Sequence, residues 1–137
     1  MAETEEIETD PYCKGDRFAA KNNIVITEVG EDWSVAQMVM DESTLNGIGI
    51  PMGGAYFTLG DLAFGAASHY IAREIVTLNA QIDFILSANC GDTVTARCER
   101  VPGASKKIQR FEITIKNQDD TLLALMHVTG YRKSKRR

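Results

Sequence analysis

Two hydrophobic periods divide the chain. From Gly53 to about Ile71 apolar residues recur at helical spacing: Leu59, Leu62, Ala63, Ala66 and Tyr70 share one face, with Phe57, Phe64 and Ala67 beside it. At about 1.5 Å per residue such a helix runs roughly 27 Å. On either side the period is two. IVITEVGEDW and SVAQMVM predict two strands around a Gly-Glu-Asp turn, with Val25, Thr27 and Val29 on one face of the first and Val35, Gln37 and Val39 on one face of the second. After Arg73-Glu74, IVTLNAQIDFI, TVTARCERV, KKIQRFEITIKN and LLALMHVTGYR predict four more strands, separated by the turn-forming ANCGD, PGAS and NQDD. Asp10-Pro11 predicts a helix start, an N-cap acceptor ahead of a proline whose missing N–H costs nothing there. That short helix runs to about Asn22, with Phe18 and Ala19 turned inward. DESTLNGIGIP reads as a loop.

The order is therefore helix, two strands, long helix, four strands. Strands joined by tight turns make antiparallel sheets, so the fold class is α+β rather than an alternating βαβ fold. With 137 residues the chain is one domain able to bury its own core. Residues 10–132 are read as that domain, 1–9 as a disordered acidic N-terminus and 133–137 as a basic tail. The long helix is poor in bulk, with Gly53, Gly54, Ala55, Gly60, Ala63, Gly65, Ala66, Ala67 and Ser68. Glycine inside a helix costs up to about 1 kcal/mol. Such a helix fits a curved sheet that wraps tightly around it.

Charge narrows the partners. A net charge of −4 argues against a nucleic-acid binder resting on a basic surface, and the basic YRKSKRR and acidic MAETEEIETD read as solvated ends. No apolar run approaches the roughly 20 residues of a membrane span, and no signal peptide is read. Cys13, Cys90 and Cys98 are odd in number and show no ligand spacing with His69 or His127. They fit free thiols in a reducing cytoplasm, with no metal site.

The candidate chemistry lies in NGIGIPMGGAYFTLGDLAFG, Asn46 to Gly65. A helix start exposes N–H groups without intrahelical acceptors at the positive end of its dipole, and Gly53 and Gly54 open this helix without side chains in the way. Two turns further along stands Asp61, between Leu59, Leu62 and Phe64, surroundings that raise a carboxyl pKa by desolvation. Taken singly, each feature has an ordinary reading: Asn46-Gly47 is a turn dipeptide, and Thr77 is a β-branched strand residue.

Together these residues resemble the acyl-CoA thioesterases of the phenylacetate-pathway type. The family pattern is Asn, a few residues with glycine, His-Gly-Gly, then a carboxylate seven residues after the second glycine. Here it reads Asn46, Gly47, Gly49, Met52-Gly53-Gly54, Asp61, and the later TLNAQIDFILSANCGDTVTARCER also resembles the family's strand, Gly-Asp turn and strand. The resemblance covers about Pro11 to Arg132, and departs at one place, where Met52 replaces the family's histidine.

It implies the hotdog fold, a long central helix wrapped by a curved antiparallel sheet. It implies hydrolysis of an acyl- or aryl-CoA thioester without a metal or redox cofactor. Gly53 N–H would be the oxyanion donor, Asp61 the general base or nucleophile, Asn46 a group positioning water or thioester, and Thr77 the hydroxyl orienting the water. Met52, Gly54, Phe57 and Phe64 would contact the acyl group, and Arg97, Arg100, Lys106, Lys107 and Arg110 are candidates for the CoA phosphates. In such relatives the site is shared by two chains, which implies a homodimer and, by pairing of dimers, a homotetramer. A non-catalytic acyl-CoA binder on the same fold is the alternative raised by Met52. Hotdog hydratases pair a histidine with an acid, and no histidine stands beside Asp61.

Overall fold

The computed structural model describes residues 15–70, 74–103 and 105–133. Among them α1 spans Arg17–Lys21, β1 Val25–Gly30, β2 Trp33–Val39, α2 Gly53–Ser68, β3 Ile75–Phe84, β4 Thr93–Val101, β5 Ile108–Lys116 and β6 Leu122–Arg132. The six strands form one antiparallel sheet in the order β1-β2-β4-β5-β6-β3. The helix α2 packs on one face of it. This is the α+β arrangement that the two periods predict.

The core forms where the period-two faces of the strands meet that helix. Val94, Ala96 and Cys98 of β4, Phe111, Ile113 and Ile115 of β5, and Ala124, Met126 and Val128 of β6 are buried against Leu59, Leu62, Ala63 and Ala66 of α2. Burial of one such Leu, Ile or Phe side chain stabilises by about 1.5–3 kcal/mol. In β2 the helix side is taken by Ser34, Ala36 and Met38, and the Val35, Gln37 and Val39 face is the outer one. Small residues serve better at the point of closest approach. Ser34, wholly buried, donates its hydroxyl to the Ala63 carbonyl at 2.6 Å and so ties the sheet to the middle of the helix.

The same logic explains Gly60. A Cβ there would lie 2.5 Å from the sulfur of the fully buried Met126, so any side chain would force that methionine to repack. The cost of an interior glycine is offset by this closer packing.

Three expectations change. The Asp10-Pro11 helix start lies outside the described residues. Within them the helix is not continuous to Asn22: Asp16 sits in extended backbone, and its carboxylate accepts the Ala19 N–H at 2.9 Å to cap α1. Phe18, expected inward, is 63% exposed, and Ala19 alone is buried. Finally, α2 ends at Ser68, so Tyr70 falls beyond it and is exposed. The last turn closes when the His69 N–H donates to the Gly65 carbonyl at 3.0 Å, with the Ser68 hydroxyl directed at the same oxygen. Such local bonding competes with helix continuation.

β3 is an edge strand of ten residues, paired on one side only, with β6. Val76, Thr77, Leu78 and Asn79 are all exposed along it. No helix among the described residues is long and apolar enough to cross a membrane.

Candidate active site

The loop between β2 and α2 is built around Asn46. Its Oδ1 accepts the N–H groups of Ile48 at 3.0 Å and Ile50 at 3.3 Å, and its own N–H donates to the Ile50 carbonyl at 2.7 Å. Gly49 supplies the turn with φ +88°. Leu45 bridges Pro51, and the Met52 N–H reaches the Thr44 carbonyl at 2.8 Å. This closed loop delivers Met52 in extended backbone to the helix threshold. Methionine offers only a weak thioether acceptor, and no side chain caps the helix there. The N–H groups of Gly53 and Gly54 therefore point out of the helix with no acceptor among the described residues.

A cavity of about 340 Å³ opens beside Gly53. Asn46, Pro51 and Gly53 bound one side, Tyr56, Phe84 and Leu86 the other. Tyr56 is buried and fixed, its hydroxyl accepting the Ala88 N–H at 2.8 Å. Phe84 meets it edge-on, ring centroids 5.9 Å apart. The Asn46 Oδ1 is committed to its own loop, while its amide NH₂ has no acceptor among the described residues. The Asn46 amide and an open helix end thus face a cavity with mostly apolar walls, while the other polar lining residue, Ser87, donates its hydroxyl to the Ala88 carbonyl.

Of the residues expected at the site, the structure brings Asn46 and Gly53 to this cavity. Met52, Gly54, Phe57 and Phe64 do not line it. Phe64 in particular belongs to the core, edge-on to Phe111 at 5.2 Å. The walls come from Tyr56, Phe84, Ile85 and Leu86 instead. A trace of them is visible in the sequence: Phe84-Ile85-Leu86 breaks strand alternation and leaves three apolar residues where a polar turn would begin.

Asp61 lies elsewhere on α2. Eight residues separate it from Gly53, or about 12 Å along the helix axis. It is exposed in the single chain and makes no hydrogen bond or ion pair with the described residues. Even so, the protein packed around its carboxyl removes enough water to push its pKa up, and the Asp16 carboxylate adds to the rise. Asp16 was not expected at the site, since nothing in a cap residue's spacing says what its charge will face. Thr77 is exposed on the free edge strand β3. Neither Asp61 nor Thr77 lines the cavity at Gly53.

The sequence profile of the thioesterase superfamily matches residues 49–124, which include Gly53, Asp61, Thr77 and Phe84. The chain belongs to the thioesterase superfamily. Among curated proteins it is similar to the acyl-coenzyme A thioesterase PaaI of Escherichia coli, 30% identical over 119 residues that cover 87% of this chain and 84% of that protein. It is also similar to a putative esterase of Archaeoglobus fulgidus, 28% identical and covering 90% of this chain and 79% of that one. The solved structure of E. coli PaaI superposes with a TM-score of 0.86 at 26% identity, covering 96% of each chain. The fold is the hotdog fold, and this member of the thioesterase superfamily is a thioester hydrolase.

The other residues singled out in this thioesterase's sequence lie away from the cavity at Gly53. Arg97 lies over the Trp33 ring at 5.2 Å and pairs with Glu99 at 2.8 Å, and Arg100 approaches Asp32 at 4.0 Å. Lys106, Lys107 and Arg110 are exposed on the β4–β5 connection and at the start of β5, and none of these five residues lines the cavity at Gly53. The His69 ring turns back on its own helix, with Nδ1 3.0 Å from the Gly65 carbonyl. Cys98 is buried in the core, where desolvation pushes its thiol pKa far up, and Cys90 is exposed in the loop before β4.

Proposed function

We propose that this thioesterase hydrolyses an acyl-CoA thioester at a site assembled from two copies of the chain. The observation that carries the reading is the spacing on α2. An oxyanion donor and a water-activating base must both reach one carbonyl group, each within about 3 Å of its partner atom. Gly53 and Asp61 of one chain stand about 12 Å apart along a rigid helix. One chain supplies the donor and a second supplies the carboxylate.

The exposed edge strand offers the junction. β3 carries unpaired backbone along its free side, with Val76 and Leu78 exposed beside Thr77. A long apolar edge pairs readily with another strand, and pairing with itself about a two-fold axis closes the assembly. Two copies joined this way continue one sheet and bring the Thr77 region of one towards the Phe84 end of the other.

The chemistry then follows from the groups. The thioester carbonyl oxygen accepts the Gly53 N–H and the Asn46 amide NH₂. One such donor contributes about 2.7–4 kcal/mol to a tetrahedral oxyanion. Asp61 of the second copy takes a proton from a water held by Thr77, and the resulting hydroxide adds to the carbonyl carbon. The tetrahedral intermediate collapses, the C–S bond breaks, and CoA departs, taking the proton from Asp61. The products are a free acid and CoA. The raised pKa of Asp61 moves it towards the value of an efficient base near neutral pH.

A mixing experiment tests the shared site. Asn46→Ala damages the donor side and Asp61→Asn the base side, so each alone should lose thiol release across an acyl-CoA panel. Mixed and allowed to exchange, the two should regain roughly a quarter of wild-type activity, since half the dimers are mixed and one site in each is whole. If the mixture stays as inactive as its parts, the shared site is wrong. A wild type that is monomeric at micromolar concentration yet active would sink it too. Asn46→Asp separates the two duties of this residue, keeping the acceptor that holds the loop while removing the donor.

A further inference from the structure

The ring of Phe84 rests on the backbone of the residue assigned as oxyanion donor. A Cβ placed on Gly53 would lie 3.1 Å from the Phe84 ring tip and 3.4 Å from the next ring carbon. Phe84 stands at the last position of β3, paired with Ala124 of β6, and its neighbours are held as well: the Ile85 and Leu86 N–H groups both donate to the Leu123 carbonyl, at 2.8 and 3.1 Å. Behind it, Tyr56 is locked by its bond to Ala88. Yet Phe84 is 56% exposed in the single chain and lines the cavity. A large apolar ring held firmly at the rim of a pocket, and not spent on the core, is available to a ligand.

We infer that Phe84 is the specificity-determining residue of this thioesterase: its ring forms the wall against which the carbon next to the thioester carbonyl must lie, so that the site takes acyl groups unbranched at that carbon and rejects branched ones. The inference rests on the reading of Gly53 as the carbonyl donor. A carbonyl oxygen bonded to the Gly53 N–H places its own carbon beside the ring tip. A CH₂ at the next position lies flat along the ring, whereas added methyl groups meet it. Tyr56, edge-on to the ring, blocks its retreat into the chain. An excess methyl group in a fitted apolar pocket changes discrimination by about 10–200-fold.

The test compares butyryl-CoA with pivaloyl-CoA, whose carbon next to the carbonyl carries three methyl groups. The wild type should show a kcat/KM at least about 10-fold higher for butyryl-CoA, and Phe84→Ala should reduce that preference by about 10-fold or more, chiefly by raising the pivaloyl value. Phe84→Leu, which keeps an apolar side chain without the ring, should fall between them, and thermal melting checks that both variants fold. Calorimetric binding of the two analogues with CH₂ in place of the thioester sulfur reads the same preference without turnover. A butyryl-to-pivaloyl ratio unchanged in both variants, in rate and in binding, overturns the role of Phe84. A binding ratio that moves with Phe84 in a protein hydrolysing neither substrate supports the Phe84 wall and removes the catalytic reading instead.

Discussion

Two aspartates of this chain show opposite uses of a carboxylate. Asp92, in the turn before β4, is 9% exposed, and both its oxygens are occupied. Oδ2 accepts the Asn89 N–H at 2.9 Å, Oδ1 accepts the Gln118 amide at 3.0 Å, and Gln118 in turn accepts the Thr93 N–H at 3.0 Å. The backbone bond from Asn89, followed by that from Gln118, holds its pKa below the ordinary carboxylate value. Asp61 has no such partner among the described residues, and desolvation pushes its pKa up. A carboxylate that accepts bonds from its own chain stabilises the fold and is unavailable for chemistry. One left desolvated and unbonded raises the free energy of the folded state and is available to a substrate.

The largest expected difference is in turnover. Asp61→Asn should lower kcat on a cleaved acyl-CoA by about two to four orders of magnitude, the range for losing a general base. Asp92→Asn should change it less than about tenfold, because its oxygens face other elements. Equal losses in the two variants, measured by thiol release, would erase the distinction.

Stability should divide the pair the other way. Asp92→Ala leaves the Asn89 N–H and the Gln118 amide without their acceptor, a loss of about 1–3 kcal/mol. Chemical denaturation should show it as a lower midpoint with the slope unchanged. Asp61→Asn removes an unfavourable charge, so at neutral pH its melting temperature should equal or exceed that of wild type.

The smaller effects lie in pH, and their signs are opposed. Unfolded Asp92 binds its proton more readily than folded Asp92, so its contribution is full above the ordinary carboxylate pKa of about 3.9 and is lost as pH falls through the lower folded value. Folded Asp61 binds its proton more readily than unfolded Asp61. Its destabilisation is full above the raised folded value, and the gain from Asp61→Asn should fade as pH falls through it. The same raised value should set the acid limb of kcat/KM, above the ordinary carboxylate range. A limb lying at or below about 3.9 would separate Asp61 from the base.

The two aspartates also differ in how far they could be read beforehand. Asp61 stood out because Asn46, the glycine pair and the carboxylate form one short linear pattern. The clasp of Asp92 joins residues 26 positions apart through Gln118, which no local pattern announces. The strands were legible for the same local reason. Alternation in segments such as TVTARCERV marks β4 as Thr93–Val101, and NQDD marks the turn into β6. What was missed depended on partners. Val35 and Val39 were as good a candidate core face as Ser34 and Ala36 until the helix came close. Phe64 was as good a pocket wall as Phe84 until Phe111 claimed it.

By itself, then, the sequence determined the element order, the antiparallel class, the helix opening at Gly53-Gly54 and the candidacy of Asp61. All of these rest on interactions within a few residues, which periodicity, turn chemistry and spacing record directly. The tertiary structure alone decided which face of β2 meets the helix, that β3 is left on a free edge, that the Asn46 oxygen is spent on its own loop, and that the Phe84 ring lies on Gly53. Each of these is set by a partner distant in sequence, and the identity of a side chain does not say which surface will arrive beside it.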